Sequence, residues 1–186
     1  MPTSNPILCV SNRNTPIVDS SRAFISLSAS FLRDEFLPRL RVALELLSCE
    51  QVWWRPNEAS NSIGNLVLHL CGNVTQWIVG GVGKENVQRD RDREFSERTP
   101  IPKAELLERL SGAVQRAVTV LDSLDPASLG EQRTIQGNQV TVMYALYHVV
   151  EHYSMHTGQI LLLTKMMTAK DLKLYEFPNG TARRRW

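Results

Sequence analysis

Histidine is scarce in this 186-residue chain, with only His69, His148, His152 and His156. The last three recur every fourth residue, which stacks their side chains along one face of an α-helix. Neutral imidazole is the commonest protein ligand for zinc, nickel, copper and iron. A His-x-x-x-His pair clasps one ion, and a histidine from a facing helix completes a three-nitrogen set. His148 and His156 would sit about 12 Å apart along a helix axis, against metal–nitrogen bonds of about 2 Å. One ion therefore takes His148 with His152, or His152 with His156. Spacing leaves both pairs open.

The neighbouring residues widen the chemistry. His148-Val149-Val150-Glu151-His152 spells His-x-x-Glu-His, the pattern of inverted zinc peptidases, in which Glu151 would be the general base. Around His69, the residues Asn65, Gly72, Asn73 and Gln76 form a polar strip on an otherwise apolar helix. They are either supports for the site or ordinary helix–helix contacts. Cys71 points to another face. Gln159, three residues after His156, is the best supporting group on its helix, so Gln159, Glu151 and Asn65 are the candidate catalytic or supporting residues. Arg91 and Arg93 offer charge to an anionic cosubstrate, although their run of alternating charges also reads as a solvated loop.

These side chains need helices to position them. From Ser20 or Ser21 to Leu47, apolar residues recur at three- and four-residue steps, with Pro38 expected to kink the helix or to mark where its firm part starts. A second helix is expected from an Asn61 or Ser62 cap to about Val79, where Gly80, Gly81 and Gly83 should break it. Residues 84 to 99 read as a long exposed connection. A third helix opens near Thr99 and closes at Asp125-Pro126. A short hairpin is expected within Thr134 to Val140, and Thr141 then caps a fourth, long helix ending near Thr168. Residues 1 to 20 read as an irregular lead-in to one domain spanning 1 to 186. Four amphipathic helices sharing a core predict an all-α, up-and-down four-helix bundle.

Bulk properties exclude several classes. A net charge of +2 gives no electrostatic case for nucleic-acid binding. Three scattered cysteines, Cys9, Cys49 and Cys71, favour free thiols in a reducing compartment. No apolar run approaches the roughly 20 residues that span a bilayer, and the N-terminal residues lack a signal-peptide pattern. The expectation is a cytoplasmic protein with no membrane partner. The final Arg183-Arg184-Arg185-Trp186 reads as a solvated basic end.

Two segments resemble the DinB-like superfamily, and within it an uncharacterised DUF-type branch. They are Asn61 to Asn73 followed by Gln76-Trp77, and Tyr147 to His152 continuing through His156-Thr157-Gly158-Gln159-Ile160. A weaker likeness runs from Phe31 to Leu40. The resemblance implies a four-helix bundle with a divalent metal, zinc or nickel, held by His69, His152 and His156. It leaves His148 as a neighbour. It also implies an enzyme that activates a low-molecular-weight thiol towards an electrophilic small molecule. Two rivals stay open: a metal-dependent hydrolase using water, and a non-catalytic metal-binding or structural bundle. A homodimer follows if one helix face stays apolar outside the bundle.

Overall fold

The structure, a computed structural model, describes residues 19–186. The lead-in, apart from its last two residues, and Cys9 lie outside the described residues. The first long helix, α1, covers residues 20–45. Asp19 caps it by accepting hydrogen bonds from the backbone N–H groups of Ser21 and Arg22, which satisfies donors that have no partner within the helix. Its buried stripe is Ile25, Ala29, Leu32, Phe36, Leu40, Ala43 and Leu44.

Pro38 does not break this helix. Phe31–Phe36 is wound as π-helix just before it, and the Leu37 N–H donates five residues back to the Leu32 carbonyl. Proline has no N–H for the carbonyl four residues earlier. That carbonyl, on Asp34, instead accepts from the Trp186 indole Nε1 at 2.7 Å. The C-terminal segment is thus fastened back onto α1. Arg39 lies 4.9 Å from the Trp186 ring centroid, and both Arg39 and Arg184 pair with Glu35. The basic end is only partly the solvated tail its composition suggests, because π-winding and proline leave it a docking point.

After a short helix α2, Cys49–Trp53, the second long helix α3 spans residues 63–82 as α-helix Ile63–Val74 and π-helix Thr75–Val82. Ser62 and Asn65 form a reciprocal capping box at its start. Of the glycines expected to end it near Val79, Gly80 and Gly81 lie inside the π segment, and the helix ends at Gly83, its C-cap. Gly81 is where the β-hairpin docks: a Cβ there would overlap the Ile135 side chain. Close approach, not helix breaking, explains that glycine.

A further helix, α4, spans Arg91–Ser96, within the stretch expected to be an exposed connection. Then come α5, Lys103–Asp122, and the hairpin of β1, Gln132–Ile135, with β2, Asn138–Thr141. Gln136 and Gly137 form its turn with φ of 53° and 77°, the backbone of a type I′ turn. The last long helix, α6, is Val142–Thr168, capped as expected by Thr141, whose hydroxyl accepts from the Tyr144 N–H. Two two-residue strands, Tyr175–Glu176 and Arg183–Arg184, complete the described residues.

Helix α3 packs on both α5 and α6, and α1 packs on the same two. Their apolar faces meet in one buried cluster that includes Leu40, Leu44, Leu70, Leu106, Leu110 and Val149. Each such side chain contributes about 1.5–3 kcal/mol on burial, so the register of α3 against α6 is firmly held. Tyr153 strengthens it, since its buried hydroxyl donates across to the Leu70 carbonyl of α3 at 3.2 Å. That pairing of helices places the histidines. No helix among the described residues is long and apolar enough to cross a membrane.

Candidate metal centre

His69 projects from α3, and His152 and His156 project from α6 one turn apart. Their Nε2 atoms converge: His69 to His152 is 3.0 Å, and His152 to His156 is 3.2 Å. One ring nitrogen from each of the three lies within 4.8 Å of the others. The opposite ring nitrogens explain why Nε2 faces inward. The His69 Nδ1 lies 2.8 Å from Glu94 Oε2, and the His156 Nδ1 lies 2.7 Å from Gln159 Oε1. Arg89 Nη2 also approaches the His69 Nδ1, at 3.1 Å, but the Glu94 carboxylate is nearer and can only accept, as does the Gln159 oxygen. The hydrogen bonds therefore assign each imidazole's proton to Nδ1 and turn a bare Nε2 lone pair to the centre.

His152 completes the set. With its proton on Nε2 it donates to one neighbour and opposes the other's lone pair. With its proton on Nδ1, which is buried without a partner, three lone pairs face one another. A cation resolves both cases. Bonds of about 2 Å at tetrahedral angles put ligand nitrogens about 3.3 Å apart, close to the His69–His152 and His152–His156 separations, with all three nitrogens within 4.8 Å of one another. The donor set therefore fits a transition-metal ion, and these three histidines could hold one.

Protonation is a poor substitute for that cation. Burial pushes the His152 imidazole down to about 3, helped by its neighbours His156, His69, His148 and Arg89. Burial also lowers His156, against the opposing effect of its hydrogen bond to the Gln159 oxygen. Both groups prefer to be neutral in the fold, so the unfolded chain binds more protons below its own imidazole range. The metal-free protein should therefore lose stability as pH falls from about 6.5 towards 3. Urea denaturation midpoints across that window measure the effect, which His152→Gln should reduce.

The residues that steady His69 lie in the stretch expected to be an exposed loop. Glu94 and Phe95 belong to α4, and Glu94 is only 8% exposed. Arg89 donates to both Glu94 oxygens, from Nε at 2.6 Å and Nη2 at 2.8 Å. Burial alone would raise the Glu94 carboxyl. Hydrogen bonds from Arg89 and His69 outweigh it and hold the group below the ordinary carboxylate range. Arg89 Nη1 also donates to Gln76 Oε1, which in turn accepts from Gln136 in the hairpin turn at 2.5 Å. Phe95 packs on the His69 ring with centroids 4.6 Å apart.

Gly72 makes this arrangement possible, because a Cβ at that position would collide with the Glu94 carboxylate. Asn65 fixes α4 to α3 by donating to the Glu94 and Glu97 carbonyls at 2.9 and 3.1 Å. Its amide N–H groups thereby help to place Glu94 beside His69. Sequence reasoning missed Arg89, Glu94 and Phe95 because the surrounding charges dominate that stretch. The available signal was Phe95 within the charged run, together with a glycine one turn after His69.

Other candidates fall elsewhere. His148 packs on Trp77, with ring centroids 4.2 Å apart, and lies outside the convergent trio. Glu151 is exposed in a groove with Phe31, Arg39 and Tyr147. Arg91 sits over the Phe95 ring. Arg93 lines an 800 Å³ cavity on the far side of Glu94, along with Cys71. Burial pushes the Cys71 thiol up to about 12, leaving it a weak nucleophile and ligand.

Among solved structures, the chain is similar to the crystal structure of a DinB-like protein from Bacillus cereus ATCC 10987. The two share a TM-score of 0.59 and 14% identity, over 77% of this chain and 90% of that one. The DinB-like resemblance seen in the sequence is thus matched by the fold. Residues 32–181 match the model of the family described as "Protein of unknown function (DUF1572)". The chain belongs to that family. No curated protein matches it.

Proposed function

We propose that this chain is a metal-dependent enzyme with an up-and-down four-helix bundle, in which His69, His152 and His156 hold a divalent ion, zinc or nickel. The observation that carries the reading is the convergence of three Nε2 atoms whose outer nitrogens face Glu94 and Gln159 wherever they have a partner. Three neutral ligands leave an ion its full charge and open positions, and such an ion lowers the pKa of a coordinated water or thiol. The chain's own residues orient the ligands: Glu94 holds the His69 ring and Gln159 holds the His156 ring. The neutral state of His152 keeps its lone pair available.

The activity that follows is attack by a low-molecular-weight thiol on an electrophilic small molecule, with water as the alternative nucleophile. Exposed apolar side chains on α6, among them Tyr147, Leu162 and Met166, support the expected homodimer. The test is titration of metal-free protein with zinc and with nickel, followed by turnover assays on electrophiles with and without added thiol. One ion per chain and thiol-dependent turnover are expected. Turnover that ignores thiol would make the protein a hydrolase. Metal binding with no turnover would leave a non-catalytic metal protein.

A further inference from the structure

The histidine that the metal trio leaves out lines a cavity of its own. It has a volume of 600 Å³ and lies between the hairpin, α3 and the start of α6. One wall is aromatic. Trp77 lies against His148, and the Tyr144 and His148 rings are parallel within 3°, with centroids 6.2 Å apart. The opposite side carries neutral amides, Gln132, Asn138 and Gln139. No lining residue is Asp, Glu, Lys or Arg, in contrast to the larger cavity, where Arg89, Asp90, Arg93 and Glu94 are exposed to the void.

Trp77 is 5% exposed, and its indole Nε1–H is buried without an acceptor, out of reach of the void itself. His148 is half-buried and meets Trp77, Tyr144 and His152 through ring contacts, while the charge of Glu151 acts on it from one turn further along α6. His148, in the cavity's lining, is also in ring contact with His152 of the trio, with centroids 5.5 Å apart. The hairpin beside it is firmly held: Ile135 is buried against Gly81, and the Val142 N–H donates to the Glu131 carbonyl at 3.0 Å.

We infer that this cavity binds an uncharged, planar small molecule bearing amide or carbonyl groups, and that it is the substrate subsite of the metal centre. A charged ligand would be partly desolvated there with no charged side chain in the lining, which is costly. A flat π face gains from the aromatic wall, and the side-chain amides meet carbonyl and N–H groups. Only the word substrate rests on the function proposed above; binding itself does not require the metal.

Benzamide is the probe, with benzoate, benzamidine and cyclohexanecarboxamide as its anionic, cationic and non-planar counterparts. Titrations are followed by the Trp77 indole N–H resonance, assigned with Trp77→Phe, and by saturation transfer to the ligand. Benzamide should shift that resonance, and the two charged compounds should bind at least about tenfold more weakly. Tyr144→Ala should weaken benzamide by about tenfold. Tyr144 is 52% exposed, so its removal leaves the core intact, and Gln139→Ala is a second surface variant expected to weaken binding. The inference is overturned if benzamide does not bind, if benzoate or benzamidine binds as tightly, or if both variants bind benzamide normally. Metal content, measured on the same samples, separates the two readings. Metal bound without benzamide sinks the subsite alone, and benzamide bound without metal sinks the metal centre alone.

Discussion

Alanine at His69, His152 or His156, introduced singly, is expected to cost the protein its divalent ion, whereas His148→Ala keeps it. The reason is geometric. The three Nε2 atoms share one small volume, while the His148 ring is turned onto Trp77. Removing one of three ligands should weaken binding by more than the roughly 10- to 100-fold that loss of an outer partner costs. Gln159→Ala, which removes only the hydrogen bond to the His156 Nδ1, should fall within that smaller range. Metal stoichiometry and competition with a chelator measure the series. Full retention by His156→Ala with loss in His148→Ala would move the site one turn earlier on α6 and defeat the assignment.

The second large effect is expected at Arg89. Its guanidinium is nearly buried and spans both Glu94 oxygens, Gln76 and the edge of His69. Arg89→Met leaves the Glu94 carboxylate buried with only His69 for a partner. Breaking a buried pair by removing one member costs about 3–5 kcal/mol. At roughly 2–4 °C per kcal/mol for a chain of this size, the melting temperature should fall by about 6–20 °C. Pairing it with Glu94→Gln removes the stranded charge, so the double variant should recover part of the loss. Glu94→Gln alone should lower metal affinity by about 10- to 100-fold, since a neutral amide holds the His69 ring less well. An Arg89→Met protein that melts like the wild type would show that the pair is not a structural unit.

Much of the helical frame is legible in the residues themselves. The apolar stripes of α1, α3, α5 and α6 have helical periodicity, and Ser62 and Thr141 stand where their side chains cap. The places where periodicity misleads are those where another element intervenes. Pro38 should kink α1 or open its firm part; regular α-winding resumes at Leu37, and the π-helix before it and the indole of Trp186 absorb the missing hydrogen bond. The glycines after Val79 should end α3, yet one of them gives the hairpin a surface to dock on. Residues 84 to 99 read as solvated charge, yet Glu94 turns inward because Arg89 and His69 meet it there. Each departure depends on a partner distant in sequence, which local pattern does not contain.

The same division holds for the histidines. Residue type and fourfold spacing determined that this chain carries imidazoles on one face of a long helix and another on a facing helix, because α-helical geometry is local. Which pair on α6 joins His69 could not follow from spacing, since His148 with His152 and His152 with His156 are equivalent along the helix. Only the tertiary structure decided how α6 lies against α3, through core packing and the Tyr153 hydrogen bond to Leu70. That register puts His152 and His156 against His69 and turns His148 towards Trp77 and a cavity of its own.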